Sequence, residues 1–119
     1  MGKGATKATV ALADNLLEIV REFDPTLELK YNKFYIGLSR DGQPYNFVTF
    51  RPKKNHLNLE IKTPETSEID AKIEGARIET LEYNKRWGNY RLRLTKEQVK
   101  SRADVLHDLM QIAHERRST

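Results

Sequence analysis

Residues 57–62 read Leu57-Asn58-Leu59-Glu60-Ile61-Lys62, a strict alternation of apolar and polar side chains. Successive side chains of a β-strand point to opposite faces of the sheet, so this pattern predicts a strand with one buried face and one polar face. A sheet that is covered on one side only is typical of antiparallel α+β domains.

The same period of two continues on both sides of this strand. Upstream, it predicts three or four strands between residues 27 and 62, with polar turns at residues 40–43 and 52–55. The first turn contains Asp-Gly, a pair that tolerates positive φ, so hairpins and an antiparallel meander are expected. Downstream, residues 78–83 and 90–94 predict another pair of strands.

Apolar residues spaced three and four apart predict a helix from about Lys7 to Phe23, which the pair Asp24-Pro25 ends. The run Thr63-Pro64-Glu65 predicts the start of a short helix that reaches Gly75. The run Thr95-Lys96-Glu97-Gln98 is a capping box and predicts a long C-terminal helix.

These elements together predict an α+β fold. We expect a single antiparallel sheet of about five or six strands, with an N-terminal helix, a short middle helix and a long C-terminal helix packed on one face. The length of 119 residues fits a single domain, residues 1–119. Residues 1–7 are expected to form a flexible leader, and residues 115–119 a frayed tail.

Composition excludes several classes of protein. The chain contains no cysteine, which rules out disulfides and thiolate metal sites. Its apolar stretches are far shorter than the roughly 20 residues that span a bilayer. We therefore expect a cytoplasmic protein without a membrane partner, and in the absence of a catalytic or cofactor-binding motif we expect no enzyme activity, no metal and no cofactor.

The net charge of +4 is unevenly distributed. Residues 30–54 carry six Lys or Arg against one Asp, and residues 84–102 carry seven against one Glu. Between them, residues 55–83 carry three Lys or Arg against seven Asp or Glu. The predicted strand pairing suggests that the sheet brings the two basic segments together on one surface.

Basic side chains attract phosphate whatever the base sequence, and an interleaved aromatic ring can stack on an unpaired base. The candidate nucleic-acid-binding residues are Arg51, Lys53, Lys54, Lys85, Arg86, Trp87, Tyr90, Arg91 and Arg93. In the alternative interpretation this is a solvated polar face, on which Trp87 packs inward as a turn anchor. Glu60 would then pair across the strands with Arg91 or Arg93 in a structural ion-pair lattice.

Four segments resemble a family of small bacterial and archaeal domains of unknown function. They are Lys30-Tyr31-Asn32-Lys33-Phe34-Tyr35-Ile36, Asn46-Phe47-Val48, Leu57-Asn58-Leu59-Glu60-Ile61 and Trp87-Gly88-Asn89-Tyr90. The resemblance covers roughly residues 28–114, and such domains often form the C-terminal part of predicted nucleases, restriction-type proteins or predicted transport proteins. It implies an accessory module in nucleic-acid metabolism or antiviral defence, with no established catalytic residues.

Three functions follow, in order of preference. The first is a non-catalytic accessory module that binds nucleic acid, DNA or RNA, through two basic hairpins. The alternative is a protein-interaction or dimerisation domain, whose partner is another protein or a larger parent chain. The third is an enzyme, because Glu60-Ile61-Lys62 matches the E-x-K pattern of metal-dependent nucleases on a strand.

Overall fold

A computed structural model describes residues 4–118 of the chain. Within this range the chain forms four helices and seven strands. In order they are α1 (Lys7–Arg21), β1 (Glu28–Tyr31), β2 (Ile36–Arg40), β3 (Gln43–Pro44), β4 (Val48–Pro52), β5 (Leu57–Lys62), α2 (Ser67–Gly75), β6 (Glu79–Asn84), β7 (Asn89–Leu94), α3 (Lys96–Ser101) and α4 (Ala103–Ser118). None of these helices is both long and apolar enough to cross a membrane.

The strands form a single sheet in the order β1-β2-β4-β5-β7-β6, and the short strand β3 pairs with β2 outside this path. All of the pairings are antiparallel, which confirms the predicted sheet type. Since β5 and β6 both pair with β7, they run in the same direction. Helix α2 makes the crossover between them.

The expected number of strands, five or six, is too low, because the sheet of the described residues has seven. Strand β3 contains only two residues, too few to show an alternation. Strand β1 is an edge strand with mainly exposed residues, so it has no buried apolar face that a sequence pattern could reveal.

The core lies between one face of the sheet and helices α1 and α4. The alternating apolar residues of the central strands point into it, which confirms the prediction from residues 57–62. Fully buried residues of the strands and helices include Phe50, Leu57, Leu59, Leu92, Leu94, Leu16 and Leu106. The opposite face of the sheet carries the alternating polar residues of the same strands, such as Asn58 and Lys62, and is called the open face below.

Helix α2 begins later than predicted. Its N-cap is Thr66, whose hydroxyl oxygen accepts a hydrogen bond from the Ile69 amide at 3.1 Å. The predicted cap, Thr63, is instead buried, and its carbonyl accepts a hydrogen bond from the Tyr83 hydroxyl at 2.7 Å. Both threonines are followed by acidic and helix-compatible residues, so the local sequence did not distinguish them.

Replacing Thr66 with alanine is expected to lower the free energy of unfolding by about 1 kcal/mol, because the Ile69 amide loses its acceptor. A urea titration would show this as a lower midpoint with an unchanged slope. Ser67→Ala is the matched control, since Ser67 is the exposed first residue of the helix and not its cap. An equal loss in both variants would contradict the assigned cap.

The C-terminal helix is present, but it is divided in two. The capping box is confirmed by two hydrogen bonds. The Thr95 hydroxyl accepts one from the backbone amide of Gln98, and the side-chain oxygen of Gln98 accepts the other from the backbone amide of Thr95. The helix breaks at Arg102, with φ −112° and ψ 21°, and the guanidinium of Arg102 donates to the Ala76 carbonyl at 2.6 Å. This contact ties the break to the end of α2.

The two chain ends were predicted to be flexible. Residues 1–3 of that leader lie outside the described range, Thr6 caps α1, and Lys7 is the first helical residue. At the other end, helical geometry continues to Ser118, through most of the predicted frayed tail. Thr119 lies outside the described residues.

A buried carboxylate joins three distant parts of the chain. Asp24, which is 6% exposed, accepts hydrogen bonds from the Thr26 amide and hydroxyl, from His114 Nε2 at 2.8 Å and from the Arg40 guanidinium. Burial by itself would raise the pKa of Asp24, but these hydrogen bonds outweigh it and hold the pKa well below its ordinary value. The cluster therefore connects the end of α1, strand β2 and helix α4.

Candidate functional site

The outward-pointing residues of three central strands form rows on the open face. Arg51, Asn58 and Arg93 are direct neighbours across β4, β5 and β7. The next row contains Thr49, Glu60 and Arg91, and beyond it Lys62 lies opposite Asn89. Directly opposed residues lie on the same face, so this surface collects most of the predicted basic strand residues.

The two basic hairpins do not converge, contrary to the prediction. The β4–β5 turn, residues 53–56, adjoins Leu57, whereas the β6–β7 turn, residues 85–88, adjoins Lys62 through its partner Asn89. Leu57 and Lys62 are the two ends of β5, about 17 Å apart at about 3.3 Å per residue. Lys53 and Lys54 therefore lie at the opposite end of the sheet from Lys85, Arg86 and Trp87.

The arginines of the open face are largely held by acceptors. Glu60, only 9% exposed, accepts from Arg51 Nε and from the Thr49 hydroxyl, both at 2.8 Å. The predicted pairing of Glu60 with Arg91 or Arg93 is thus wrong, although Glu60 lies opposite Arg91. Arg93 approaches Glu79 at 3.7 Å, and Arg91 donates twice to the Glu82 carbonyl.

Lys62, Lys85 and Arg86 are exposed, and no ion pair involves them within residues 4–118. Lys62 ends strand β5, next to Asn89, and the other two residues belong to the adjacent β6–β7 turn. This end of the sheet consequently carries three exposed cations that form no ion pair with another described residue.

Trp87 projects from the same turn and is 64% exposed. The Asn84 side chain accepts from the Trp87 amide at 3.0 Å, and Gly88 adopts a positive φ of 68°, which shapes the turn. The guanidinium of Arg86 lies 5.3 Å from the Trp87 ring centroid. The ring is therefore presented to solvent beside a cation, and the interpretation of Trp87 as an inward-packed anchor is wrong.

Tyr90 must be removed from the candidate stacking residues. Its ring is only 5% exposed, and its hydroxyl donates to Asp70 at 2.8 Å and accepts from the Thr66 amide at 2.9 Å. Burial raises the pKa of Tyr90 to about 12. This residue anchors α2 to the sheet and has no open face for a base.

A cavity of about 440 Å³ lies on the open face, and its lining includes the aromatic residues Tyr35 and Trp87. Arg51, Glu60, Lys62 and Asn89 contribute to its polar lining. Asn89 is 6% exposed, and its Oδ1 is buried without a hydrogen-bond partner among the described residues. The cavity therefore combines two aromatic walls with charged and amide groups.

Tyr35 and Asn89 were not among the predicted site residues. A local signal for Tyr35 is Gly37, because a Cβ atom there would lie 2.5 Å from Asn46 Oδ1 and 3.2 Å from the Tyr35 ring. The glycine leaves room for the ring beside the strand. Asn89 has no comparable local signal, since its role depends on its position opposite Lys62.

A larger cavity of about 590 Å³, between α2 and β6, has the opposite charge. Its lining includes the carboxylates of Glu65, Asp70, Glu74 and Glu82. Phosphate is repelled by such a surface, so this cavity does not extend the candidate interface. Within residues 4–118 no group of three or more His, Asp or Glu side chains is placed to hold a metal ion.

Comparison with protein families gives one description for nearly the whole chain. A family model described as a domain of unknown function matches residues 2–116. Neither the curated proteins nor the solved structures contain a match. The predicted similarity to a family of domains of unknown function is confirmed. The matched residues extend beyond the expected range, residues 28–114.

Proposed function

Because this chain belongs to the family of domains of unknown function DUF5655, we propose its function from its own surface: it binds nucleic acid on the open face of its sheet. The observation that carries the proposal is the exposed Trp87 ring, which lies at the rim of the 440 Å³ cavity beside Lys62 and Arg86. Stacking and phosphate attraction are thereby available at one place.

The chemistry favours single strands. An exposed indole ring can stack on a base only where the base is not already enclosed in a duplex, and such stacking contributes about 1–3 kcal/mol per base. The neighbouring cations Lys62, Lys85 and Arg86 attract phosphates independently of sequence. A strand that follows β5 away from Trp87 reaches Lys53 and Lys54 after about 17 Å.

The proposed role is accessory and non-catalytic. It is supported by the contacts of Glu60, the acidic residue of the E-x-K pattern, whose carboxylate is engaged by Arg51 and Thr49. We further propose that the module belongs to a bacterial or archaeal defence protein of the cytoplasm. The resemblance to C-terminal parts of predicted nucleases and restriction-type proteins supports this proposal. A protein-interaction or dimerisation role stays a prediction.

Fluorescence anisotropy of labelled single-stranded oligonucleotides tests the proposal. With about three phosphates contacted, the affinity is expected to fall about twentyfold between 50 and 200 mM salt, from a slope of about −0.7 per phosphate. No change in anisotropy at low salt, with protein at tens of micromolar, would refute nucleic-acid binding.

Trp87→Ala is expected to weaken this binding by about 1–3 kcal/mol, through the loss of stacking. Phe34→Ala is a matched control, because Phe34 is 65% exposed but does not line the cavity. An equal effect of both substitutions would contradict a specific role for Trp87.

A further inference from the structure

We infer that the cavity between Tyr35 and Trp87 holds one unpaired nucleobase with an exocyclic amino group, as in adenine or cytosine. This inference rests on the proposed function and names the ligand of the same site. Four features carry it: the size of the cavity, its two aromatic walls, the acceptor groups that line it and the adjacent cation.

The cavity suits a planar aromatic ligand. Its volume of about 440 Å³ falls within the range of roughly 300–1,000 Å³ that small-molecule sites occupy. Tyr35 is half-buried on one side, and Trp87 is 64% exposed on the other. Bases that are extruded from a strand are held in this way, by stacking on aromatic side chains and by hydrogen bonds to their edges.

The lining of the cavity offers acceptors that require a donor. Asn89 Oδ1 is buried and lacks a partner among the described residues, and a buried acceptor without a hydrogen bond is unfavourable. The Glu60 carboxylate, which accepts from Arg51 and Thr49, lines the same cavity and adds negative charge to it. A ligand whose amino group points toward Asn89 would donate the hydrogen bond that Asn89 Oδ1 lacks.

The bases differ in this respect. Adenine and cytosine present an amino donor at the position where thymine presents a carbonyl oxygen. A thymine in the same orientation would bring its carbonyl against Asn89 Oδ1 and Glu60, which disfavours it. The site is therefore expected to prefer adenine and cytosine to thymine.

The charged residues of the cavity indicate where the phosphate of such a nucleotide would bind. Arg51 is held by Glu60 at 2.8 Å, whereas Lys62 lines the cavity and is exposed. Lys62 is thus the cation available to the phosphate that is attached to the bound base. The same chemistry is offered by a free mononucleotide and by a nucleotide within a strand.

The chain has one tryptophan, so fluorescence excited selectively from tryptophan reports stacking at Trp87 alone. Homo-oligonucleotides of dA, dC and dT, of equal length, would be titrated into the full chain and compared with adenosine monophosphate. The expected result is saturable quenching, with dA and dC about tenfold tighter than dT. If adenosine monophosphate also quenches the fluorescence, a free nucleotide is a ligand of the site. If only the oligonucleotides quench it, the ligand is a nucleotide within a strand.

Asn89→Ala should reduce the preference for dA over dT to within about twofold, without weakening dT binding. Asn58→Ala is the matched control, since Asn58 is an asparagine on the same face of the sheet but does not line the cavity. Should Asn89→Ala not fold, the comparison of bases with the wild-type chain decides the question alone.

The two proposals fail in different ways. A rise in oligonucleotide anisotropy without quenching, or with equal affinities for dA and dT, overturns the base site and leaves nucleic-acid binding standing. Quenching by the monophosphate without any binding of oligonucleotides overturns the nucleic-acid function and retains the base site. No response in either measurement overturns both.

Discussion

Asp24→Ala is expected to lower the free energy of unfolding by about 3 kcal/mol, the cost of removing one partner from a buried charged cluster. The carboxylate accepts hydrogen bonds from Thr26, Arg40 and His114, and the last of these lies 90 residues away in the chain. Without the Asp24 carboxylate, the end of α1, strand β2 and helix α4 lose the hydrogen-bond acceptor that they share. Urea denaturation followed by circular dichroism measures the loss.

The effect of Asp24 is also expected to depend on pH. Its pKa is lowered in the folded protein, so the stabilisation is fully present above the unfolded-state pKa of about 3.9 and is lost progressively as the pH falls below it. The difference in stability between the wild type and Asp24→Asn should therefore shrink as the pH falls below about 4.

Asp14→Asn provides the control, because Asp14 is exposed on α1. It should leave the stability nearly unchanged over the same pH range, since exposed charges contribute little. A difference for Asp24→Asn that stays constant down to pH 2 would show that its carboxylate has an ordinary pKa.

Reversing two charges beside Trp87, in the double variant Lys62→Glu/Arg86→Glu, is expected to weaken oligonucleotide binding about a hundredfold. Each reversal replaces an attraction for phosphate by a repulsion, and about 1.4 kcal/mol per residue corresponds to a tenfold loss each. Both residues are exposed, so the fold should be retained. Anisotropy at low salt measures the change.

Lys96→Glu/Lys100→Glu is the matched control, since both residues are exposed on α3, which packs against α1 and α4. Each double variant reduces the formal net charge by four, from +4 to zero. If both variants lose affinity equally, binding reflects the net charge of the protein and not the open face.

Local sequence patterns predicted several features of the fold correctly. The Asp-Gly turn is confirmed by positive φ at Asp41 and Gly42, 52° and 79°. The capping box at Thr95 is confirmed by its two hydrogen bonds, and the alternation in residues 57–62 by the burial of Leu57, Leu59 and Ile61. Each of these features depends on residues only a few positions apart.

Predictions that required a partner from elsewhere in the chain were less successful. Glu60 was expected to contact Arg91 or Arg93 but binds Arg51, because cross-strand neighbours on both sides compete for one carboxylate. Tyr90 was expected to bind nucleic acid, but its ring is buried. Its contact with Asp70 of α2 decides in favour of burial.

The sequence by itself determined the antiparallel α+β architecture, since strand alternation, turn residues and helix caps act over a few residues. Only the tertiary structure decided how the basic residues are distributed. The pairing of β7 with β5 places the Trp87 turn beside Lys62, at the end of β5 opposite Lys53 and Lys54. The candidate site therefore arises from strand register, which depends on packing between distant segments and not on any local pattern.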